Sequence, residues 1–237
     1  MSFLRSFLFS IPVVAIWTMA MEMLALVVSF FDKRGEWQHR IARLWAKIML
    51  PLCFVRVRVE GVEKIDKNGT YVFVSNHQSY LDIPTLVALI PQQFRFFYKK
   101  ELLTNPLWGI YLKRAKHVVV DQSDRRAAVK SIAVGVKLVT EDRVSVLVFP
   151  EGSRSGEGLL DFEEGAAYIA IKAGVPVIPI AITGMWRLLP TGSLSIRSGT
   201  GTVRIGDAIS TAGLKHSDRA EFTRRLHAEI SRLAGME

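Results

Sequence analysis

The 237-residue sequence has a single cysteine, Cys53, so no disulfide can close within the chain, which suits a reducing compartment. Paired-cysteine and H-E-x-x-H patterns are absent, and no metal site is expected. A G-x-x-x-x-G-K-[ST] phosphate loop is absent too. The run GSRSG at 152–156 is not a G-x-S-x-G nucleophile elbow, because its central residue is Arg154. Internal repeats, low-complexity tracts and long runs of like charge are also missing, which argues against solenoids and disordered tails. Acid is scarce relative to base: 22 Asp and Glu against 31 Lys and Arg leave a net charge of +9. Such a balance points to an anionic partner, whether nucleic acid, anionic membrane or phosphorylated ligand. Hydrophobic residues make up 49% of the chain and the mean hydropathy is +0.23, which favours the membrane over nucleic acid.

Charge is scarcest near the start. From Phe7 to Phe31 the only charged residue is Glu22. A helix of that length, rising about 1.5 Å per residue, spans a hydrocarbon core of roughly 30 Å. The apolar run is longer than a signal-peptide core and basic residues follow it closely, so cleavage is not expected. Next, Trp37, Ile41, Leu44, Trp45, Ile48 and Met49 recur at helical spacing, with Arg40, Arg43 and Lys47 on another face. This is the composition of an interfacial helix, and equally of a surface helix packed on a domain. Two arrangements fit: a single span, or a two-helix hairpin entering one leaflet. Lys33, Arg34, Arg40, Arg43 and Lys47 follow the apolar stretch and only Arg5 precedes it, which places the remaining chain in the cytoplasm and the protein at the cell inner membrane. A change in composition near residue 54 divides the chain into a membrane-associated segment, 1–53, and a globular domain, 54–237.

In the globular part strands alternate with helices. Phe54–Glu60 alternates apolar and polar residues, Tyr71–Val74 is a short buried run, and Phe94–Tyr98 and His117–Val120 read as further strands. Asp124–Thr140 has helical periodicity, Val144–Phe149 is continuously apolar, Gly165–Ala173 is a short helix and Asp218–Leu233 closes the chain as an amphipathic helix. Val175–Ile182 carries Pro176 and Pro179, which argues against an uninterrupted central strand; Thr202–Ile205 reads as an edge strand. The alternation predicts an α/β fold with a mixed, mostly parallel sheet flanked by helices.

Two stretches carry chemistry. In YVFVSNHQSYLD, at 71–82, His77 lies on a strand-to-helix turn and Asp82 at the start of the helix. On one continuous helix the two would diverge by roughly 140°, at about 3.6 residues per turn; across a turn they can meet. A carboxylate that fixes an imidazole tautomer makes a general base. The plainer alternative is that Ser79 and Asp82 form a helix-capping box and His77 is a solvated loop residue. The second stretch, FPEGSRS at 149–155, follows a buried strand, where α/β folds place ligands. Arg154 suits a bidentate grip on phosphate. Glu151 could orient Arg154, bind a hydroxyl or fix the loop, and a flexible glycine turn with a solvated arginine is the plainer reading.

NHQSYLD at 76–82 and FPEGSRS at 149–155 resemble the first and third motifs of the glycerolipid acyltransferase family, and VPVIPIAI at 175–182 resembles the fourth. The resemblance implies a membrane-bound O-acyltransferase that moves a fatty acyl group from acyl-CoA or acyl-carrier protein to the sn-2 hydroxyl of 1-acylglycerol-3-phosphate, giving phosphatidic acid. It implies His77 as general base, Asp82 as its orienting partner, and Asn76, Glu151, Gly152, Ser153 and Arg154 around the acceptor. Val175, Pro176, Ile178 and Pro179 would shape the acyl site. No cofactor is implied beyond the acyl donor, and the partners are lyso-lipid, donor and membrane lipids, not nucleic acid. Backbone N–H groups near Asn76–Gln78 are candidate oxyanion donors. Two departures bear on the acceptor. Gln122 stands where the second motif carries arginine, with Arg125 as a candidate substitute, and Glu163 and Glu164 follow Phe162 where lysine is common. Another lyso-lipid acceptor, such as lyso-ornithine lipid, is one alternative. A non-catalytic protein that holds anionic lipid at the membrane surface is the other.

Overall fold

The computed structural model describes residues 2–104, 106–121 and 123–236; of Ser2, Phe3, Pro106, Leu107, Trp108 and Arg125 it describes the backbone alone. Helix α1 (Ser2–Arg5) runs through a π-helical turn, Ser6–Ser10, into α2 (Ile11–Val28). The wide turn comes directly before Pro12, which has no N–H to offer the ladder. From Ser6 to Val28 the chain forms one apolar helix of 23 residues, long enough to cross a membrane. Its outer side chains, among them Leu8, Ile16, Met19, Met23 and Val27, are exposed.

Asp32 starts the next helix by accepting from the Glu36 and Gln38 N–H groups. Helix α3 (Glu36–Leu52) then folds back on α2. The Trp17 indole donates to the Trp45 carbonyl at 3.1 Å, and the Trp45 indole donates to the Thr18 hydroxyl at 2.9 Å. The two helices therefore form a hairpin. Arg43, expected on an outer basic face, points inward and donates to the Ile90 and Gln92 carbonyls.

Seven strands form one sheet, introduced here in chain order: β1 (Val55–Glu60), β2 (Val72–Ser75), β3 (Phe94–Lys99), β4 (Val118–Val120), β5 (Ser145–Val148), β6 (Val177–Thr183) and β7 (Gly199–Ile205). Their spatial order is β1-β7-β6-β2-β5-β3-β4. All neighbours are parallel except β6 and β7, so the mixed, mostly parallel sheet is present. The intervening helices are α4 (Asp82–Leu89), α5 (Pro106–Arg114), α6 (Arg125–Thr140), α7 (Gly165–Ala173), α8 (Met185–Leu188) and the closing α9 (Arg219–Ala234).

Two hydrophobic layers sandwich the sheet. One joins Ala46, Met49 and Leu50 of α3 and Leu86 of α4 to Phe73, Leu147, Ile178 and Ile180. The other joins Leu138 and Val139 of α6, Ile169 of α7 and Leu226 of α9 to Val72, Val146 and Val177. Helix α3 thus belongs to the core of the sheet, and the change in composition near residue 54 marks no gap in packing.

The segment at 175–182 departs from expectation. Val177–Thr183 is an uninterrupted interior strand despite Pro179. Pro179 opposes Val74 on β2, and its carbonyl accepts from the Gly206 N–H at 2.9 Å. The β7 ladder begins only at Ile180, just past the proline, and Val177 exchanges both its bonds with Ile209 beyond it. Pro179 therefore sits where the neighbouring chain swings away and no N–H is required.

Candidate active site

The site forms where β2 and β5, adjacent and parallel, both end. The turn after β2 carries His77, and the loop after β5 carries Phe149 to Ser155. His77 Nδ1 lies 2.7 Å from Asp82 Oδ2. The same oxygen accepts from the Gln78 N–H at 2.6 Å and the Ser79 N–H at 2.8 Å. Asp82 is fully buried and the His77 side chain is 15% exposed. With Nδ1–H held by the carboxylate, Nε2 carries the free lone pair. The capping reading is half present: Asp82 reaches back to the Ser79 N–H, but the Ser79 hydroxyl accepts from the Leu81 N–H at 3.3 Å and donates to the Leu189 carbonyl, while the Asp82 N–H donates to the Ser79 carbonyl. One carboxylate oxygen thus both starts α4 and fixes the imidazole.

The second loop holds His77 on its remaining sides. Its N–H donates to Glu151 Oε1 at 2.6 Å. Its carbonyl accepts from the Ser155 N–H at 2.8 Å and from the Ser155 hydroxyl at 3.1 Å. Its ring stacks on Phe149, with centroids 4.1 Å apart and planes 17° from parallel. Gly152 turns this loop with φ +66°, a conformation that side chains disfavour.

Several expected binding residues have other tasks. Glu151 is buried, and its second oxygen accepts from the Leu160 N–H at 2.9 Å. Both carboxylate oxygens are therefore spent on backbone, so of the three roles open to Glu151 it fixes the loop. Burial pushes its pKa up, against these hydrogen bonds. Asn76 is also fully buried, and its amide exchanges two bonds with the Ile182 backbone, at 2.8 and 2.7 Å. It continues the β2–β6 ladder where β2 ends, and its amide is occupied there. The candidate oxyanion donors His77 N–H and Gln78 N–H are occupied by Glu151 and Asp82. Val175 and Pro176 precede β6, at the end of the sheet away from His77, and Ile178 is fully buried in the core. Pro179 also lies inside β6, so Ile178 and Pro179 are part of the sheet.

Arg154 remains available. Its guanidinium lies 3.6 Å over the Tyr80 ring, and its buried Nη1 has no hydrogen-bond partner. Ser153 is exposed beside it. Glu164 pairs with Arg219 of α9 at 2.7 Å, so it is tied to the far layer. Gln122 lies outside the described residues; Arg125 is the first residue of α6, and its side chain is likewise not described. Sequence reasoning quoted Phe149, Ser155 and Tyr80 inside the two motifs but gave them no role. Their positions, immediately beside the histidine and arginine loops, were the signal.

Residues 56–183 match the acyltransferase family. A chloroplastic 1-acyl-sn-glycerol-3-phosphate acyltransferase of Brassica napus is 39% identical over 181 residues, covering 75% of this chain and 52% of that protein. The chain belongs to the acyltransferase family. A second relative, the 1-acyl-sn-glycerol-3-phosphate acyltransferase alpha of Bos taurus, is 31% identical, with 85% of this chain and 71% of the relative covered. The crystal structure of the 1-acyl-sn-glycerophosphate acyltransferase PlsC of Thermotoga maritima superposes with a TM-score of 0.83 at 26% identity, covering 99% of this chain and 97% of that one. This acyltransferase spans about half the length of the plant relatives it matches.

Proposed function

We propose that this acyltransferase moves a fatty acyl group from an acyl thioester, acyl-CoA or acyl-carrier protein, to the sn-2 hydroxyl of 1-acylglycerol-3-phosphate, yielding phosphatidic acid. The observation that carries the reading is the 2.7 Å contact between His77 Nδ1 and buried Asp82. His77 Nε2 takes the proton of the acceptor hydroxyl as that oxygen attacks the thioester carbonyl. Asp82 stabilises the imidazolium. The tetrahedral intermediate then expels the thiolate, which recovers the proton from His77. The acceptor oxygen is itself the nucleophile, so no enzyme-bound acyl group is required. Arg154, parked on Tyr80 with an unpartnered Nη1, is suited to the acceptor phosphate.

Residues 1–53 act as the membrane-associated unit and 54–237 as the catalytic one, at the cytoplasmic face of the inner membrane. The apolar helix from Ser6 to Val28 and the basic residues after it support this placement. The test is acyl transfer by the purified, detergent-solubilised chain, offered acyl-CoA and acyl-carrier protein against a panel of lyso-lipids. New phosphatidic acid with matching thiol release is expected from lysophosphatidate. Transfer confined to another headgroup, such as lyso-ornithine lipid, would move the substrate, and no transfer from either donor would overturn the reading.

A further inference from the structure

Helix α6 has a surface that the proposed chemistry at His77 does not use. Its sixteen residues include Arg125, Arg126, Lys130 and Lys137 and no acidic residue. Two of the four cations stand in the first turn, where the helix dipole disfavours positive charge. Asp124 caps the helix through the Arg126 N–H, so the cap is provided without them. Arg126 and Lys130 are exposed and form no ion pair among the described residues; Lys137 pairs with Glu141. Between them Val129 and Val134 are 60% and 49% exposed. Neither the uncompensated charge nor the bare valines help the helix fold.

Place in the fold limits what covers this face. Helices α2 and α3, with the exposed apolar side chains, lie on the opposite layer of the sheet. A membrane held by α2 therefore leaves α6 facing water. The helix begins five residues after β4 ends. β4 lies three strand spacings from β2, about 14 Å, so the start of α6 borders the rim that carries His77.

We propose that the exposed face of α6 docks the acidic surface of an acyl carrier protein. Arg126 and Lys130 meet its carboxylates, Val129 and Val134 meet its apolar contact residues, and its flexible prosthetic arm carries the thioester across the rim to His77. This rests on the proposed acyl transfer and names the donor that the surface favours. Charge complementarity is the argument: Arg126 and Lys130, one helical turn apart with exposed valines beside them, match the spread carboxylates and apolar contacts of a small acidic protein, whereas coenzyme A gathers its phosphates on one nucleotide and offers nothing to the valines.

The test compares the full-length chain in detergent with Arg126→Glu/Lys130→Glu, using a hexadecanoyl-loaded acyl carrier protein and hexadecanoyl-CoA as alternative donors. Direct binding of the loaded carrier protein is measured alongside. The expected result is that kcat/KM with the carrier protein falls about tenfold or more, binding is lost, and turnover with acyl-CoA is unchanged. Retained circular dichroism and acyl-CoA turnover report that the variant is folded. Equal loss with both donors, no loss with either, or a wild-type chain that uses acyl-CoA and binds no carrier protein would each overturn the inference. Binding that depends on Arg126 and Lys130 without transfer from either donor would support docking and sink the acyl-transfer reading instead.

Discussion

At His77 four independent contacts converge: carboxylate on the ring nitrogen, aromatic face on the ring, carboxylate on the N–H and serine on the carbonyl. Fixing an imidazole this fully lowers the reorganisation needed when a proton moves. Asp82→Asn keeps the shape and loses the charge and the tautomer control. The expected result is a fall in kcat of about 10²–10⁴ with little change in acceptor KM, read by steady-state kinetics. Asn76 gives the opposite signature. Asn76→Ala strands two buried backbone groups of Ile182 and costs about 2 kcal/mol or more, so the unfolding temperature drops while acceptor KM holds. A raised KM at unchanged stability would return Asn76 to the substrate. The His77–Asp82 pair was legible because both side chains fall on one turn within a recognisable motif. Asn76 and Glu151 were not, because a buried amide or carboxylate bonded to backbone reads in sequence like one that awaits a ligand.

Among the elements, most strands and helices follow from periodicity. The exceptions were β6, where two prolines argued for a break, and β7, which reads as an edge strand at Thr202–Ile205 but lies between β1 and β6. What decides the outcome is which neighbour each N–H faces, and that depends on β7, which lies far ahead in the chain. The α2–α3 hairpin is similar: apolar length and basic periodicity are visible in the sequence, but the inward turn of Arg43 needs the carbonyls of Ile90 and Gln92. Arg95 ties the hairpin to the sheet, donating to the Arg34 carbonyl at 2.7 Å. Gly35 stands against it: an added Cβ there would lie 2.6 Å from the Arg95 guanidinium. The paired tryptophans add to this joint. Trp45→Phe keeps an aromatic ring and loses the bond to Thr18, so a loss of about 1 kcal/mol is expected in chemical denaturation of the whole chain. Unfolding of α2–α3 before the rest would instead show the hairpin to be independent of the sheet.

For the molecule as a whole, buried histidines set the response to acid. His39 packs edge-on to Phe94, between the Arg43 and Arg95 charges, and burial with those cations lowers its pKa to about 3. His117 accepts from the Phe96 N–H at 3.0 Å, and burial holds its pKa well below 6.5. Both are neutral when folded and titrate near 6.5 when unfolded, so the unfolded chain binds more protons below that pH. The contribution of His39 is complete above about pH 6.5 and is lost as the pH falls toward 3, by about 1.4 kcal/mol per pH unit; that of His117 is lost in the same direction. Thermal unfolding in one detergent is expected to shift downward from pH 7.5 to pH 5, less steeply in His39→Leu. Parallel pH profiles for the two proteins would remove His39 from this role. The apolar helix lies on one layer of the sheet and basic α6 on the other, the arrangement that the proposed membrane acceptor and soluble donor would require.

The most direct measurement is acyl transfer to lysophosphatidate by the wild-type chain and by His77→Ala, scored as phosphatidic acid formed with equimolar thiol released, with circular dichroism and vesicle binding recorded for both. Loss of transfer in His77→Ala with fold and vesicle binding intact is the result expected of a general base. Transfer at the wild-type rate by a folded His77→Ala protein would contradict it, and the His77–Asp82 pair would then be a helix-start device and nothing more.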